Sequence, residues 1–479
     1  MKNRGVLTFL LLAISFLLLC SACQNQGQGS GVNSSDSAAS ESSDSALAAS
    51  DNPNEITMAV WHYTDKFLQD AALLYEEKTG IKVNIENHYV TSDWDSDDYR
   101  LDPYQNTIIY TEQTLTDLMA RRGADIYYVN FLDFEQLGKN GLLLDMSDWL
   151  ENDEELTNDV VFRDLILSGK TGEGVFALST DFLINRLSAT SGDEPILENK
   201  RRTWQEFFDE VSELEYTQDI VFGCSDLDLF MLRFYSRASY FIDESGNTQK
   251  LYSEEMISLL EECRDWRDMG FCWDFRDVPL FFNPDDMSNL GSYTSAAGGN
   301  SGNKWAETFC TIPEEYRRPF YTFAPMPFDG DAVHTDGNVR YPEIGWVPLY
   351  SVNAGSLKAE AAQDFLKFLL TEECQREMLP KDLFTGFLLP VNRAVFRDLI
   401  EKDLDRIQKA ITMVEMDIPG LIDEAEETVD EVAYFIRHKP YYHTIIRKVA
   451  LQYFLDQITA EEAARQMSNK VGLYLKEQG

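Results

Sequence analysis

Aromatic rings and isolated polar side chains at the ends of expected strands are what this sequence offers for chemistry. Ile56-Thr57-Met58-Ala59-Val60-Trp61 reads as a buried strand, so Trp61 and Tyr63 stand where a loop leaves it. A flat aromatic face suits a ring whose C–H groups are apolar and whose rim carries hydroxyls. Packing of Trp61 into a core is the alternative, since Trp is mostly buried. Asp65 can accept such hydroxyls, but it is also a good N-cap for a helix beginning at Lys66. Asn130 and Phe131 end the strand Ile126–Val129. Asp181 is a further acceptor candidate, with a solvated turn as its alternative. Asp226 follows the expected strand Ile220–Gly223. Trp273 and Tyr293 are aromatic candidates in a stretch of weak periodicity. Trp346 lies in Gly345-Trp346-Val347-Pro348, on a late strand. Trp61 and Trp346 are the preferred stacking residues.

This is the chemistry of recognition, and bond-breaking motifs are missing. The sequence has no G-x-S-x-G, no H-E-x-x-H and no phosphate loop. His62, His88, His334, His438 and His443 are scattered, and Pro440 spoils a shared helical face for the last two. The run Asp93-Trp94-Asp95-Ser96-Asp97-Asp98 invites a calcium reading. It fails the EF-hand pattern, with Asp98 at the glycine position and Tyr104 at the bidentate-Glu position. A solvated acidic loop is the better reading. No cofactor and no metal are expected. Paired carboxylates for glycoside hydrolysis are defined by spatial separation, which sequence spacing does not report.

The net charge of −41 repels nucleic acid and anionic lipid headgroups, so neither is an expected partner. Hydrophobic content of 44% and aromatic content of 12% supply enough apolar surface for more than one core. After Cys23 come Cys224, Cys263, Cys272, Cys310 and Cys374, an odd set without C-x-x-C spacing. That argues against zinc and thioredoxin-like redox sites and fits buried small hydrophobes.

The elements that must position the candidates begin after a leader and a tether. Lys2 and Arg4 precede the apolar stretch Val6–Cys20, and small residues lead to Cys23, the pattern of an export signal over 1–22. The apolar run is short of the ~20 residues that span a bilayer. Residues 23–54 are rich in Ser, Gly, Ala, Asp and Gln and read as a flexible tether. From Glu55, a strand, a helix over Lys66–Lys78 stopped at Gly80, and the strand Ile81–Ile85 form a strand–helix–strand unit with a parallel sheet. Thr203-Trp204-Gln205-Glu206 is a capping box opening a helix. Ala359–Leu370 and the last forty residues read as amphipathic helices, with no 20–50-residue repeat.

Two resemblances follow from these residues. Leu19-Cys20-Ser21-Ala22-Cys23 resembles a bacterial lipobox, differing at Cys20, where leucine is usual. It implies acylation of Cys23 and a membrane anchor on the extracellular face. Trp61-His62-Tyr63 with Tyr75–Val83, Ala124-Asp125-Ile126 through Gly141-Leu142-Leu143, Gly174–Ser179, Thr203–Phe207, Ala362–Leu370 and Phe387–Asn392 resemble, in order and spacing, family 1 extracellular solute-binding proteins. The segment Thr180–Arg186 departs from that pattern at the first chain crossing. The resemblance implies an α/β, two-lobe, periplasmic-binding-protein-like fold. Each lobe would be a mainly parallel sheet flanked by helices, with a helical C-terminal segment. Lobe 1 would span 55–180 and 325–390, and lobe 2 would span 181–324 and 391–479. A ligand would sit between the lobes, near the crossings and thus near Asp181 and Trp346. The implied function is capture of a mono- or oligosaccharide by a monomer and delivery to ABC importer permease subunits. Binding of a peptide or another polar small molecule is the alternative within the fold. A secreted glycoside hydrolase is the alternative of another class.

Overall fold

The structure is a computed structural model. It describes residues 52–60, 66–87, 105–167, 170–171, 174–189, 201–212, 225–243, 248–270, 272, 292–295, 322–325, 333–335, 338–340, 345–346, 348–378, 389–410, 416–430 and 440–478. All of them fall within one compact unit, Ala46–Gly479, which holds two separate hydrophobic cores.

The first core is built on strands β1 (Glu55–Val60), β2 (Lys82–Asn87), β3 (Ile126–Tyr128), β6 (Leu178–Ser179) and β15 (Leu349–Val352), in the order β2-β1-β3-β15-β6. β1 pairs in parallel with β2, Met58 opposite Ile85, and with β3, Met58 opposite Ile126. Five successive residues of β1 are buried, as expected for a strand covered on both faces. The helix Lys66–Thr79 buries Leu68, Ala71, Ala72 and Tyr75 at helical spacing. It stops at Gly80, whose φ of +74° suits glycine and whose amide donates to Glu76 O at 2.8 Å. Tyr75 packs edge-on against Phe365, ring centroids 5.1 Å apart, which seats the helix Ala359–Leu369.

This sheet is mixed, because β15 runs antiparallel to both β3 and β6. The second large sheet departs further from the expected parallel arrangement. Its spine is β7 (Asp181–Ala189), and its partners are β10 (Ser292–Ser295), β11 (Thr322–Pro325), β14 (Gly345–Trp346) and β16 (Leu389–Pro390). All four pair antiparallel to β7, since each belongs to chain running back along it. Three two-stranded ribbons complete the described strands: β4 (Lys170–Thr171) with β5 (Gly174–Val175), β8 (Ile242–Asp243) with β9 (Thr248–Gln249), and β12 (Val333–Thr335) with β13 (Asn338–Arg340).

The second core is helical. Helices Trp204–Ser212, Asp226–Ser236, Glu254–Asp268, Pro440–Phe454 and Ala460–Gln478 bury Phe207, Phe230, Phe234, Leu260, Val449, Met467 and Val471. The capping box forms: Glu206 N donates to Thr203 Oγ1 at 3.2 Å, and Thr203 N donates to the Glu206 carboxylate at 2.7 Å. Phe208 stacks on Trp266 with centroids 3.4 Å apart. Residues after 390 divide between the cores. Val391, Phe396, Ile400, Leu404, Ile422, Ala425 and Val429 are buried in the first, whereas the sequence reading groups 391–479 with the second. The reason is aromatic packing: Phe396 meets Phe162 edge-on at 5.2 Å, and Phe162 meets Phe182 at 5.9 Å.

One backbone requirement lies just ahead of β3. Gly123 has φ +91°, and an added Cβ would stand 2.2 Å from the Tyr127 hydroxyl and 2.8 Å from Asp117 Cβ. That hydroxyl accepts the Ala124 amide at 2.9 Å, so it is not free to move aside. Gly80 also has positive φ, but its missing Cβ faces open space. Gly80→Ala therefore loses about 1 kcal/mol from conformation alone. Gly123→Ala loses roughly 3 kcal/mol from conformation and overlap together. Denaturant unfolding of the two variants checks the order, and equal losses would remove the steric argument.

Candidate functional site

The first sheet ends along one edge, and that is where the chain passes between the cores. β1 and β3 are parallel, so their carboxyl ends, Val60 and Tyr128, lie together. β6 runs alongside, because Leu349 of β15 faces Ser179 while Tyr350 faces Tyr128. β7 begins at Asp181, two residues beyond Ser179, and Phe182 remains in the first core. From Asn185 onward, β7 pairs with β10 and β11. The return crossing lies beside it: Trp346 pairs with Leu183, and Leu349 opens β15 three residues later. Carboxyl ends of parallel strands next to a domain junction are where open α/β sheets place ligands.

Hydrogen bonds fix this edge. The Tyr110 hydroxyl reaches Tyr128 O at 2.8 Å and Ala59 O at 3.2 Å, linking the ends of β3 and β1. Asn130 Oδ1 accepts the Leu349 amide at 2.6 Å, tying the loop after β3 to β15. Ser179 Oγ donates to Asp181 O at 2.6 Å. Three rings line the same edge: Tyr128 lies 5.7 Å from Phe131 and 5.9 Å from Tyr350, both edge-on. Asp181 is buried, with Thr180 Oγ1 3.4 Å from its Oδ2. Burial, then Tyr110, then the charge of Asp181 hold the Tyr128 phenol well above its usual pKa, so it stays a protonated hydroxyl. The edge therefore combines aromatic surface, a carboxylate and neutral donors. Groups of these kinds can pair with hydroxyls and C–H faces. Among the described residues, no group of three or more His, Cys, Asp and Glu is arranged to hold a metal ion.

The candidates from the sequence distribute unevenly. Asn130, Asp181 and the backbone of Trp346 come together at this edge. Asn130 is engaged with β15, so its carbonyl acts in the scaffold. Tyr293 sits on β10 opposite Leu187, farther along β7. Asp226 lies in the second core, fully buried, with Oδ1 accepting the Leu227 amide and Oδ2 3.0 Å from Arg267 Nη1. Its carboxylate is spent on that pair. Trp61, Tyr63, Asp65, Trp273 and Cys23 lie outside the described residues, as does the acidic run 93–98. Tyr128 and Tyr350 are missed by the sequence reading: Tyr128 sits inside an apolar strand, and both are buried in the first core.

A groove of about 660 Å³ on the first core is lined by Arg163, Arg393, Arg397, Asp164, Glu426 and Asp430 among others. Its arginines are occupied. Arg393 binds Asp430 at 2.6 Å, Arg397 binds Asp423 at 3.0 Å, and Arg163 donates to Leu150 O at 3.0 Å. Among the described residues, its three arginines are thus all engaged in ion pairs or hydrogen bonds.

Solved structures share this architecture over most of the chain. MalE3 of T. maritima, solved with maltose, superposes with a TM-score of 0.53 at 15% identity, over 88% of this chain and 99% of that one. An ABC substrate-binding protein of Listeria monocytogenes, in complex with cycloalternan, gives 0.57 at 13% identity, over 88% and 99%. An ABC transporter solute-binding protein of Agrobacterium radiobacter, in complex with ribitol, gives 0.55 at 15%, over 88% and 98%. This is the fold of the ABC-transporter solute-binding proteins. No protein-family model and no curated protein matches the sequence. At such identities the solute-binding fold is shared, while the side chains of its site are this chain's own. Among the described residues, no helix is long and apolar enough to cross a membrane.

The position of Asp226 gives a direct test. Removing one partner of a buried ion pair costs about 3–5 kcal/mol. Arg267 retains Asp268 at 2.8 Å, so Asp226→Ala should fall near ~3 kcal/mol, the low end of that range. Chemical denaturation measures the loss. A stability unchanged from wild type would mean that the pair does not form.

Proposed function

We propose that this chain is a lipid-anchored extracellular solute-binding protein. It captures a carbohydrate between two hinged lobes and delivers it to the permease subunits of an ABC importer. The observation that carries this reading is the extent of the fold match. Neighbours named as ABC-transporter binding proteins are covered over 98 to 100% of their own chains. Maltose, cycloalternan, tagatose and ribitol in those neighbours support a polyhydroxylated ligand here.

Lobe 1 in this reading is the first core, residues 55–180 and 349–430, and lobe 2 is the second sheet with the second core. The ligand lies against the edge formed by Val60, Tyr128, Asn130 and Asp181. Trp61 and Trp346 stack on its ring face, and Tyr63 joins them. Asp181 accepts a hydroxyl, and Tyr128 or Tyr350 borders the same surface. A buried carboxylate beside aromatic rings disfavours an anionic ligand. The protein acts as a monomer and binds its ligand unchanged, with no catalysis. Cys23 carries the lipid, and because one acyl chain binds a bilayer only marginally, the anchor has more than one chain. Closure requires that ligand contact the closed arrangement better than the open one.

Thermal unfolding of the protein against maltose, maltotriose, ribitol, tagatose and dipeptides tests the reading. A specific ligand at 100 times its Kd adds about 2.7 kcal/mol, a clear rise in Tm, with the sugar recovered intact. Asp181→Ala should remove a hydrogen bond to a charged acceptor and weaken that ligand by ~10- to 100-fold. A response confined to dipeptides would transfer the function to peptides, and a hydrolysed sugar would make the protein an enzyme. Cys23→Ser should release the protein from membranes or block its processing. Full retention of the variant in the membrane fraction would refute the anchor.

A further inference from the structure

One side chain joins two of the chain segments that run between the sheets. Gln375 lies in the helix Glu372–Met378 and is fully buried. Its Nε2 donates to Thr180 O at 2.6 Å and to Leu369 O at 2.9 Å. Its Oε1 accepts the Asn392 amide at 2.9 Å. Thr180 is the residue between β6 and β7, on the outgoing crossing. Asn392 follows β16, whose Leu389 and Pro390 pair with Phe182 and Asp181 at the base of the same strand. Asn392 is in turn bridged to Val161, and Phe162 N donates to Val391 O at 2.9 Å. One amide thus uses both donors and its acceptor on three backbone groups from three separate segments.

We propose that Gln375 is the positioning residue that sets where the two halves pivot. It fixes Thr180 and Asn392 to the end of the helix Ala359–Leu369, so the base of β7 moves with the first core. Rotation is then confined to β7 beyond Phe182, where β14 and then β10 and β11 take over the pairing. The chemistry requires an amide. A leucine or methionine of similar volume fills the space but leaves two carbonyls and one amide without partners. A glutamic acid can replace it when protonated, its O–H donating to Thr180 O and its carbonyl accepting from Asn392. Once ionised, it faces the Thr180 and Leu369 carbonyls with negative charge. This inference rests on the two-lobe binding reading only in assuming that the halves move.

The test needs no ligand, so its failure is separate from failure of the carbohydrate reading. Spin labels are carried on non-natural residues at positions 73 and 473, both exposed, one on each core. Dipolar distances are measured in the full chain at pH 5 and pH 8. The unsubstituted Gln375 protein should give one narrow distribution at both values. Gln375→Met should broaden it at both. Gln375→Glu should be narrow at pH 5 and broad at pH 8. Asp181, Glu373, Glu377 and the Arg376–Asp398 pair lie near Gln375 in sequence or space and are the same in all three proteins, so the unsubstituted protein corrects for any contribution they make. A distribution that keeps its mean and width in Gln375→Met while Tm falls would make Gln375 a packing residue and overturn the proposal. If Gln375→Met fails to fold, a Gln375→Glu distribution that does not change with pH overturns it equally.

Discussion

The pairing of β7 is the constraint on which the rest of the structure depends. A strand that leaves one apolar core for another cannot abandon its backbone polar groups on the way, because each buried orphan costs about as much as a lost hydrogen bond. β7 meets this by changing partners along its length: β16 at Asp181 and Phe182, β14 at Leu183 and Ile184, then β10 and β11. Every partner must therefore return to the crossing from a distant part of the sequence. That is why β14, late in the chain, lies beside β7, and β15, just after it, lies between β3 and β6. It is also why the carboxyl ends of β1 and β3 face a junction and not open solvent.

The same constraint explains the polar residues buried around the edge. Asn130, Ser179, Ser351 and Gln375 each satisfy backbone groups next to a strand, and Asn392 satisfies one at the end of the helix Ala359–Leu369. Such residues look like site residues in a sequence, since both kinds are polar and stand at strand ends. Space separates them. A side chain whose oxygen accepts a backbone amide, as Asn130 does from Leu349, is engaged in holding the scaffold. Asp181 differs in bringing a buried carboxylate to this edge beside the Tyr128 phenol.

Legibility followed the range of the interaction. β1, the helix after it, the stop at Gly80 and the capping box at Thr203 are set by residues within a few positions, and each forms as its local pattern dictates. β3 and the helix Ala359–Leu369 were likewise readable from apolar spacing. The antiparallel β15, the antiparallel partners of β7 and the packing of 391–429 into the first core are set by contacts across a hundred residues or more. An alternation that marks a strand carries no statement of which strand lies next to it. Asp226 shows the limit for sites. Its buried pairing with Arg267, forty-one residues on, is invisible in local pattern, whereas a carboxylate after an expected strand looks available.

Stiff cores and a narrow junction are the energetic division that such a molecule requires. Each core is held by interlocking rings, Phe162, Phe182 and Phe396 in one, Trp204, Phe208 and Trp266 in the other. Deleting one such ring from a core costs several kcal/mol. Between the cores, the described contacts along β7 are mostly backbone hydrogen bonds, each worth about 1 kcal/mol net. In the proposed binding function, a ligand that contributes a few kcal/mol of preference for one arrangement would reorganise the junction without disturbing either core. For that to happen around a fixed axis, the base of the crossing strand must belong firmly to one side. Burial of Phe182 in the first core and the three backbone bonds of Gln375 supply that asymmetry.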